Sequence, residues 1–136
     1  MGTYPAPNDG KIPDLCDLMF HGNITLSSSR KETIIMANAV FFNTYALIDG
    51  SSVPDFLLAV ENLIKEHISN QKGYISFKLL AEGDAWADYV IFDTPDNLNA
   101  FLEASETNTN EYAEKFYSFL NFDTCISHIY SVEMSL

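Results

Sequence analysis

The side chains of this sequence that could take part in chemistry lie in two apolar stretches. The first, "ANAVFFNTYALID" (37–49), contains Asn43 as the one polar side chain in the middle of its face. The second, "DAWADYVIFDTPDNLNAFLEA" (84–104), carries the single tryptophan of the chain, Trp86, and a carboxylate, Asp88. An amide, an indole and a carboxylate in such apolar surroundings could orient a ligand with few polar groups.

Aromatic residues accompany these three side chains. Phe41 and Tyr45 flank the amide on its face of the first stretch, and Phe92 shares a face with Trp86, because side chains alternate along a strand. The set predicts an aromatic-lined cleft that suits a flat, apolar, aromatic small molecule. We expect the ligand to contact Phe41, Tyr45, Asp88 and Phe92.

Three residues are candidates for catalysis, and each has a structural alternative. Asn43 could orient a substrate, or it could be a core amide that neighbouring backbone satisfies. Trp86 could form a pocket wall, or it could be a core or interface aromatic. His67, on the apolar side of a predicted helix, could be a general base because an imidazole titrates near neutrality. It could equally be a cation that complements the helix dipole.

The elements that must position these residues follow from periodicity and turn signals. Aromatic and β-branched runs with period two predict four strands, and glycine in Glu82-Gly83-Asp84 predicts a hairpin between the middle two. The strands are expected at 37–49, 74–81, 85–93 and 124–134.

Two capping patterns predict the helix starts. Ser52 with Asp55 three residues later approximates a capping box, and the first helix should run from there to about residue 70. Thr94 as N-cap with Pro95 at the first position starts the second helix, which "ETNTN" (106–110) breaks. A further helical segment is expected at 111–120.

The element order β-α-β-β-α-β predicts an α+β, ferredoxin-like fold. In this fold a four-stranded antiparallel sheet carries its helices on one face, and residues 37–136 should form the domain. Residues 1–36 should be a partly disordered N-terminal arm, since Pro5, Pro7 and Pro13 with two glycines give the composition of a linker.

The sheet face without helices is also expected to be apolar. Val40 and Phe42 point to one side of the first strand, while Phe41 and Tyr45 point to the other. Helices can cover only one face, and soluble monomers rarely expose a large contiguous apolar patch. The sequence therefore predicts a homodimer that buries this face.

Composition excludes several classes of function. The chain of 136 residues has a net charge of −12 and one arginine, Arg30, so neither nucleic acid nor an anionic membrane is an expected partner. Cys16 and Cys125 cannot form a disulfide framework, and no secretory or spanning segment is apparent, which favours a cytoplasmic protein.

The sequence also lacks the patterns of metal and nucleotide sites. His21 and His128 lack metal-ligand spacing, and no glycine-rich nucleotide motif occurs. No metal and no cofactor are expected.

The motifs "NTYALIDG" and "WADYVIFDTPDNLNAF", with the element order, resemble the dimeric α+β barrel superfamily, in particular its antibiotic-biosynthesis monooxygenase-like branch. The resemblance covers roughly residues 38–134. It implies two sheets paired face to face and a ligand cleft between sheet and helices. Some members of the superfamily oxidise polycyclic aromatic substrates without metal or flavin, and others degrade haem.

The haem-degrading pattern is incomplete here. Asn43, seven residues before Gly50, matches the asparagine of those relatives, but Phe92 stands where they have a tryptophan, and "PDNLNAFLEASETN" contains no histidine. Without that histidine no proximal ligand would hold the iron.

Two functions therefore remain open. One is a cofactor-independent monooxygenase-like enzyme with Asn43, Trp86 and His67 as catalytic residues. The other is a non-catalytic ligand-binding or dimeric interaction protein of the same fold.

Overall fold

A computed structural model describes residues 37–136. The predicted arm, with Cys16, His21 and Arg30, lies outside the described residues. Strands and helices follow one another in the expected order, with one short 3₁₀ helix, Ile68–Asn70, after the first α-helix. They are β1 (Ala39–Leu47), α1 (Val53–Glu66), β2 (Tyr74–Glu82), β3 (Ala85–Phe92), α2 (Pro95–Thr107), α3 (Glu111–Tyr117) and β4 (Leu120–Ser131).

The four strands form one antiparallel sheet in the order β2-β3-β1-β4. The predicted hairpin joins β2 to β3, and Gly83 at its tip has a φ of 61°, a conformation that favours glycine. The predicted α+β class with a four-stranded antiparallel sheet is confirmed.

All three α-helices of the described residues pack on the same face of the sheet. Phe56 of α1 lies 5.0 Å from the ring of Trp86, Phe101 of α2 stacks on Phe92 at 5.4 Å, and Phe116 of α3 lies 6.0 Å from Tyr45. Since these strand residues share one face, the helices form a single layer above it. The core between the two layers combines aromatic rings with aliphatic side chains.

Both predicted N-caps are present. The Ser52 hydroxyl accepts a hydrogen bond from the Asp55 amide at 3.2 Å, and the Thr94 hydroxyl accepts one from the Asn97 amide at 3.1 Å. Each satisfies an amide that the first helical turn leaves free.

The last strand differs from its predicted bounds. It begins at Leu120, four residues before the expected start at 124, and α3 ends at Tyr117 instead of 120. The cause is a bulge: Ala46 pairs with Asn121, whereas Thr44 pairs with Ile126. The extra residues of β4 interrupt the period-two alternation on which the prediction depended.

The outer face of the sheet is apolar and carries no helix. Phe42 lies at its centre, 6.3 Å from both the Tyr89 and the Tyr130 rings. Ile126 and Tyr130 are about half exposed, at 55% and 52%. We call this set of side chains, with Val40, Leu80, Ile91 and His128, the outer aromatic face.

Candidate functional site

A partly enclosed cavity lies between the sheet and the helix layer. It contains about 810 Å³ of space, counting the solvent at its mouth. Its apolar walls include Phe41, Val60, Leu63, Phe77, Val90 and Phe101. Its polar lining consists of Asn43, Asp88, His67, Ser105, Asn108, Asn110 and Tyr117. A few polar groups in an apolar cleft are the usual make-up of a small-molecule site.

A hydrogen-bonded polar row crosses three neighbouring strands below the cavity, and two of its members, Asn43 and Asp88, line the cavity floor. Asn43 of β1 pairs in register with Asp88 of β3 on one side and with Ser127 of β4 on the other. The Ser127 hydroxyl donates to Asn43 Oδ1 at 2.5 Å, and Asn43 Nδ2 donates to Asp88 Oδ1 at 2.9 Å. Tyr45 donates its hydroxyl proton to Asp88 Oδ2 at 2.5 Å. Asn43 and Tyr45 therefore donate to the carboxylate directly, and Ser127 donates to Asn43.

Asp88 is a buried acid with an altered proton affinity. Its side chain is 5% exposed, and burial raises its pKa to about 6, although the hydrogen bonds from Asn43 and Tyr45 act in the opposite direction. Burial disfavours the charged form, while donors to a carboxylate favour it. A carboxyl group with this pKa is ionised at neutral pH and is a stronger base than an exposed aspartate.

The other titratable groups near Asp88 stay protonated. Burial, and then the charge of Asp88, raises the pKa of Tyr45 far above its usual value. The same two causes raise the pKa of the Cys125 thiol to about 12. Within this group of three, Asp88 is the side chain that changes charge near physiological pH.

His67 lines the cavity from the C-terminal end of α1. Its Nδ1 lies 3.3 Å from the Asn110 side-chain nitrogen, and its ring centroid is 6.2 Å from that of Phe101. Burial lowers the pKa of His67, which favours the neutral ring. His67 does cap the C-terminal end of α1, as the alternative interpretation expected, but this direction of the pKa shift disfavours a cation there.

Four of the seven residues expected at the site line the cavity. They are Phe41, Asn43, His67 and Asp88. Tyr45 lies behind the carboxylate and reaches the site through its hydroxyl.

Trp86 and Phe92 lie on the helix-side face, as parity required, but they do not line the cavity. The Trp86 ring packs edge-on against Phe56, and Phe92 is fully buried between Tyr74 and Phe101. Helix side chains cover both ends of β3, so the cleft opens above its middle, at Asp88 and Val90. The expectations that Trp86 forms the pocket wall and that Phe92 contacts the ligand are therefore wrong, because neither side chain reaches the cavity.

Sequence reasoning missed several polar residues of the site: Ser105, Asn108, Asn110 and Tyr117 line the cavity, and Ser127 supports Asn43 from behind. Ser127 lies beside Asn43 because of the register between β1 and β4, and the bulge in β4 makes this register hard to predict from the sequence. The sequence analysis places Asn110 in a polar segment that breaks a helix, although an asparagine directly before a helical run is an N-cap signal.

Two classes of feature are absent from residues 37–136. No three His, Cys, Asp or Glu side chains there come together as a possible metal-ligand group. In the same part of the chain, no helix has the length and hydropathy needed to cross a membrane.

No protein-family model matches the chain, and a comparison with the curated proteins finds no match. The comparison with solved structures does find similar folds. Two crystal structures of SnoaB, a cofactor-independent oxygenase from Streptomyces nogalater, one of them of a mutant, each have a TM-score of 0.59 and 13% identity. The alignments cover 73% and 74% of this chain and 96% and 97% of SnoaB.

The NE2512 protein of unknown function from Nitrosomonas europaea is also similar, with a TM-score of 0.50 and 15% identity over 75% of this chain and 95% of that one. At these identities the likeness shows a shared fold. The predicted resemblance to monooxygenase-like proteins is confirmed at that level.

Proposed function

We propose that the protein is a small, cofactor-independent monooxygenase-like enzyme that binds an apolar aromatic molecule in the cleft between sheet and helices. The observation that carries the proposal is Asp88, a buried carboxylate with a pKa of about 6 that lines an otherwise mostly apolar cavity. Strongly perturbed acids in clefts are often functional. The shared fold with SnoaB, a cofactor-independent oxygenase, supports the same class of reaction.

Asp88 acts in this proposal as the general base. It removes a proton from an acidic C–H or O–H group of the aromatic substrate, and its raised pKa improves this transfer at neutral pH. Asn43 and Tyr45 hold one carboxylate oxygen each, so the base is oriented before the substrate enters. Each oxygen keeps a lone pair for the substrate.

The oxygen chemistry then needs no external reductant. The substrate anion gives electrons to O₂ and forms a C–O bond, which yields a hydroperoxide after protonation. Loss of water from a hydroperoxide that began as a CH₂ group leaves a carbonyl. One oxygen atom enters the product and the other leaves as water, and the substrate supplies all the electrons. The apolar walls, including Phe41 and Phe101, hold the rings of the substrate.

Anthrone is a suitable probe because it combines aromatic rings with an acidic CH₂ group. We expect the protein to accelerate oxygen uptake and anthraquinone formation, and Asp88→Asn to reduce the rate by about a hundredfold or more, as for loss of a general base. Asp84→Asn, in the exposed hairpin turn, is the matched control and should retain the rate.

Equal rates in the wild type and Asp88→Asn would refute the assignment of the base. Binding of anthrone without oxygen uptake by the wild type would instead favour the alternative function, a non-catalytic ligand-binding protein.

The proposal includes a homodimer formed through the outer aromatic face. That face is apolar at its centre, and the edge strand β2 contributes Lys78 and Glu82 to its margin. Two copies of this face can therefore meet without bringing a cluster of like charges together, despite the net charge of −12 of the chain. Light scattering at micromolar concentration should give the mass of a dimer, and the mass of a monomer would contradict the proposal.

A further inference from the structure

His67 and Asn110 meet at the helix side of the cavity. His67 follows the last turn of α1, Asn110 precedes α3, and the Asn110 side-chain nitrogen lies 3.3 Å from His67 Nδ1. Both residues line the cavity. Nothing in the function proposed above explains why an asparagine faces the ring.

The orientation of the Asn110 amide is fixed by its role as an N-cap. Its Oδ1 accepts hydrogen bonds from the backbone amides of Tyr112 at 2.9 Å and Ala113 at 3.1 Å. An amide nitrogen could not take that place, because it only donates. The NH₂ group of Asn110 must therefore face His67, and Nδ1 must accept. The neutral ring then carries its proton on Nε2.

The backbone of His67 is held as firmly as its ring. Its amide donates to the Leu63 carbonyl at 3.1 Å, and its carbonyl accepts from the Asn70 amide at 3.2 Å and from Gln71 Nε2 at 3.1 Å. The Phe101 ring packs near the imidazole. The direction of the imidazole is thus set before any ligand enters.

We propose that Asn110 is a positioning residue that holds His67 as a neutral Nε2–H hydrogen-bond donor to the ligand. The cavity then offers an acceptor at Asp88 on the sheet side and a donor at His67 on the helix side. The part of this inference that concerns the ligand rests on the function proposed above. It narrows the ligand class to aromatic molecules with an acidic hydrogen at one position and an acceptor oxygen, such as a ketone, at another. It also changes the role of His67 from general base to donor.

The charge state of His67 depends on few neighbours. The titratable groups that share its cavity are Asp88 from β3 and Tyr117 from α3. Lys65, on the same helix, is directed to the exposed surface, where it pairs with Glu61 at 2.6 Å. Burial lowers the pKa of the ring, which agrees with a neutral donor.

The tautomer can be read in the ligand-free protein by long-range ¹H–¹⁵N NMR of the imidazoles, with His67→Gln used to assign the signals. The wild type should show the Nε2–H form. Asn110→Asp keeps the helix cap, since aspartate is an equally good N-cap, but it turns a donor into a charged acceptor. We expect Nδ1–H to predominate in this variant and the proton affinity of the ring to rise about tenfold or more.

Asn110→Ser also keeps the cap and is a second variant in case Asn110→Asp does not fold. Its shorter side chain should no longer donate to Nδ1, so the pKa of His67 should rise, though less than in Asn110→Asp. An Nδ1–H tautomer in the wild type would overturn the inference. An unchanged tautomer and pKa in the folded Asn110→Asp variant, or in Asn110→Ser if only that variant folds, would overturn it as well.

Two probes test the ligand side: 5-hydroxy-1-tetralone, which has a phenol and a ketone, and 5,6,7,8-tetrahydro-1-naphthol, which has the phenol alone. The wild type should prefer the hydroxytetralone by about tenfold, the effect of one hydrogen bond. Asn110→Asp should lose this preference. Equal affinity of the wild type for both probes would refute the donor role, whereas failure of both to bind would refute the aromatic site proposed above and leave the tautomer result standing.

Discussion

At the scale of the residue, Asp88 should make the stability of the protein depend on pH. Its folded-state pKa of about 6 exceeds the ordinary value of 3.8, so the folded protein binds this proton more tightly than the unfolded chain does. The resulting stabilisation is complete below pH 4 and is lost as the pH rises through 6. A shift of this size corresponds to about 3 kcal/mol in the free energy of unfolding.

The substitution Asp88→Asn removes this titration. We expect the difference in unfolding free energy between the wild type and the variant to change by about 2.5 kcal/mol between pH 4 and pH 7, with the variant gaining relative stability at pH 7. Urea denaturation at both pH values measures it, with Asp84→Asn as the exposed control. A difference that does not vary with pH would contradict the assigned pKa.

Tyr45→Phe should shift the pH dependence of the reaction and leave the packing of the ring intact. The Tyr45 hydroxyl donates to Asp88 Oδ2 at 2.5 Å and so favours the carboxylate. Without this donor the pKa of Asp88 rises above about 6. The acidic limb of kcat/KM should therefore move to higher pH. Tyr74→Phe, next to Phe92, should leave the profile where it is, and an unshifted limb in Tyr45→Phe would argue against Asp88 as the base.

At the scale of the element, the turn between α1 and β2 depends on Gly73. Its φ is +89°, and an added Cβ would lie 2.4 Å from Asp93 Oδ1 and 2.8 Å from Asn97 Cβ. Its carbonyl also accepts a hydrogen bond from the Asp93 amide at 2.8 Å, which ties this turn to the start of α2.

Gly50 provides a matched control for Gly73, because it has a φ of +84° but no neighbour within 4 Å of an added Cβ. Gly50→Ala should cost about 1 kcal/mol through backbone strain alone, and Gly73→Ala should cost clearly more because side chains must also move. Urea unfolding of both variants decides between these outcomes. Equal losses would mean that the Asp93 and Asn97 side chains yield freely.

The sequence determined the elements well and the site less well. The caps at Ser52 and Thr94, the β2–β3 hairpin and the face shared by Asn43 and Asp88 follow from local signals that tertiary packing does not override. The bulge in β4 is not local, since it appears only when β1 and β4 pair. It hid Ser127. Parity put Trp86 on the correct face, but only the packing of Phe56 on its ring decides that it lies outside the cavity.

At the scale of the whole molecule, the outer aromatic face should govern assembly. Phe42→Lys places a charge at its centre, which a dimer through this face would have to bury, so we expect a monomer. Leu58→Lys is the control: Leu58 is 56% exposed on α1, on the opposite side of the protein, and the variant should remain a dimer. Light scattering distinguishes the two, and a dimeric Phe42→Lys would show that assembly uses another surface.

The polar row below the cavity has a consequence for how the chain selects its strand pairing. A β-strand that slips by one residue turns all its side chains to the opposite face, and a slip by two keeps the face but changes every partner. A slip of β1 or β3 by one or two residues would separate Asp88 from Asn43, and a slip of β4 would separate Ser127 from Asn43. Each slipped alignment therefore lacks hydrogen bonds of the native register. In a sheet whose two faces are both apolar, hydrophobic patterning distinguishes these alternatives poorly. The hydrogen bonds among Asp88, Asn43 and Ser127 therefore favour the native strand register over registers shifted by one or two residues. Asp88, the proposed general base, thus also contributes to the correct pairing of the strands.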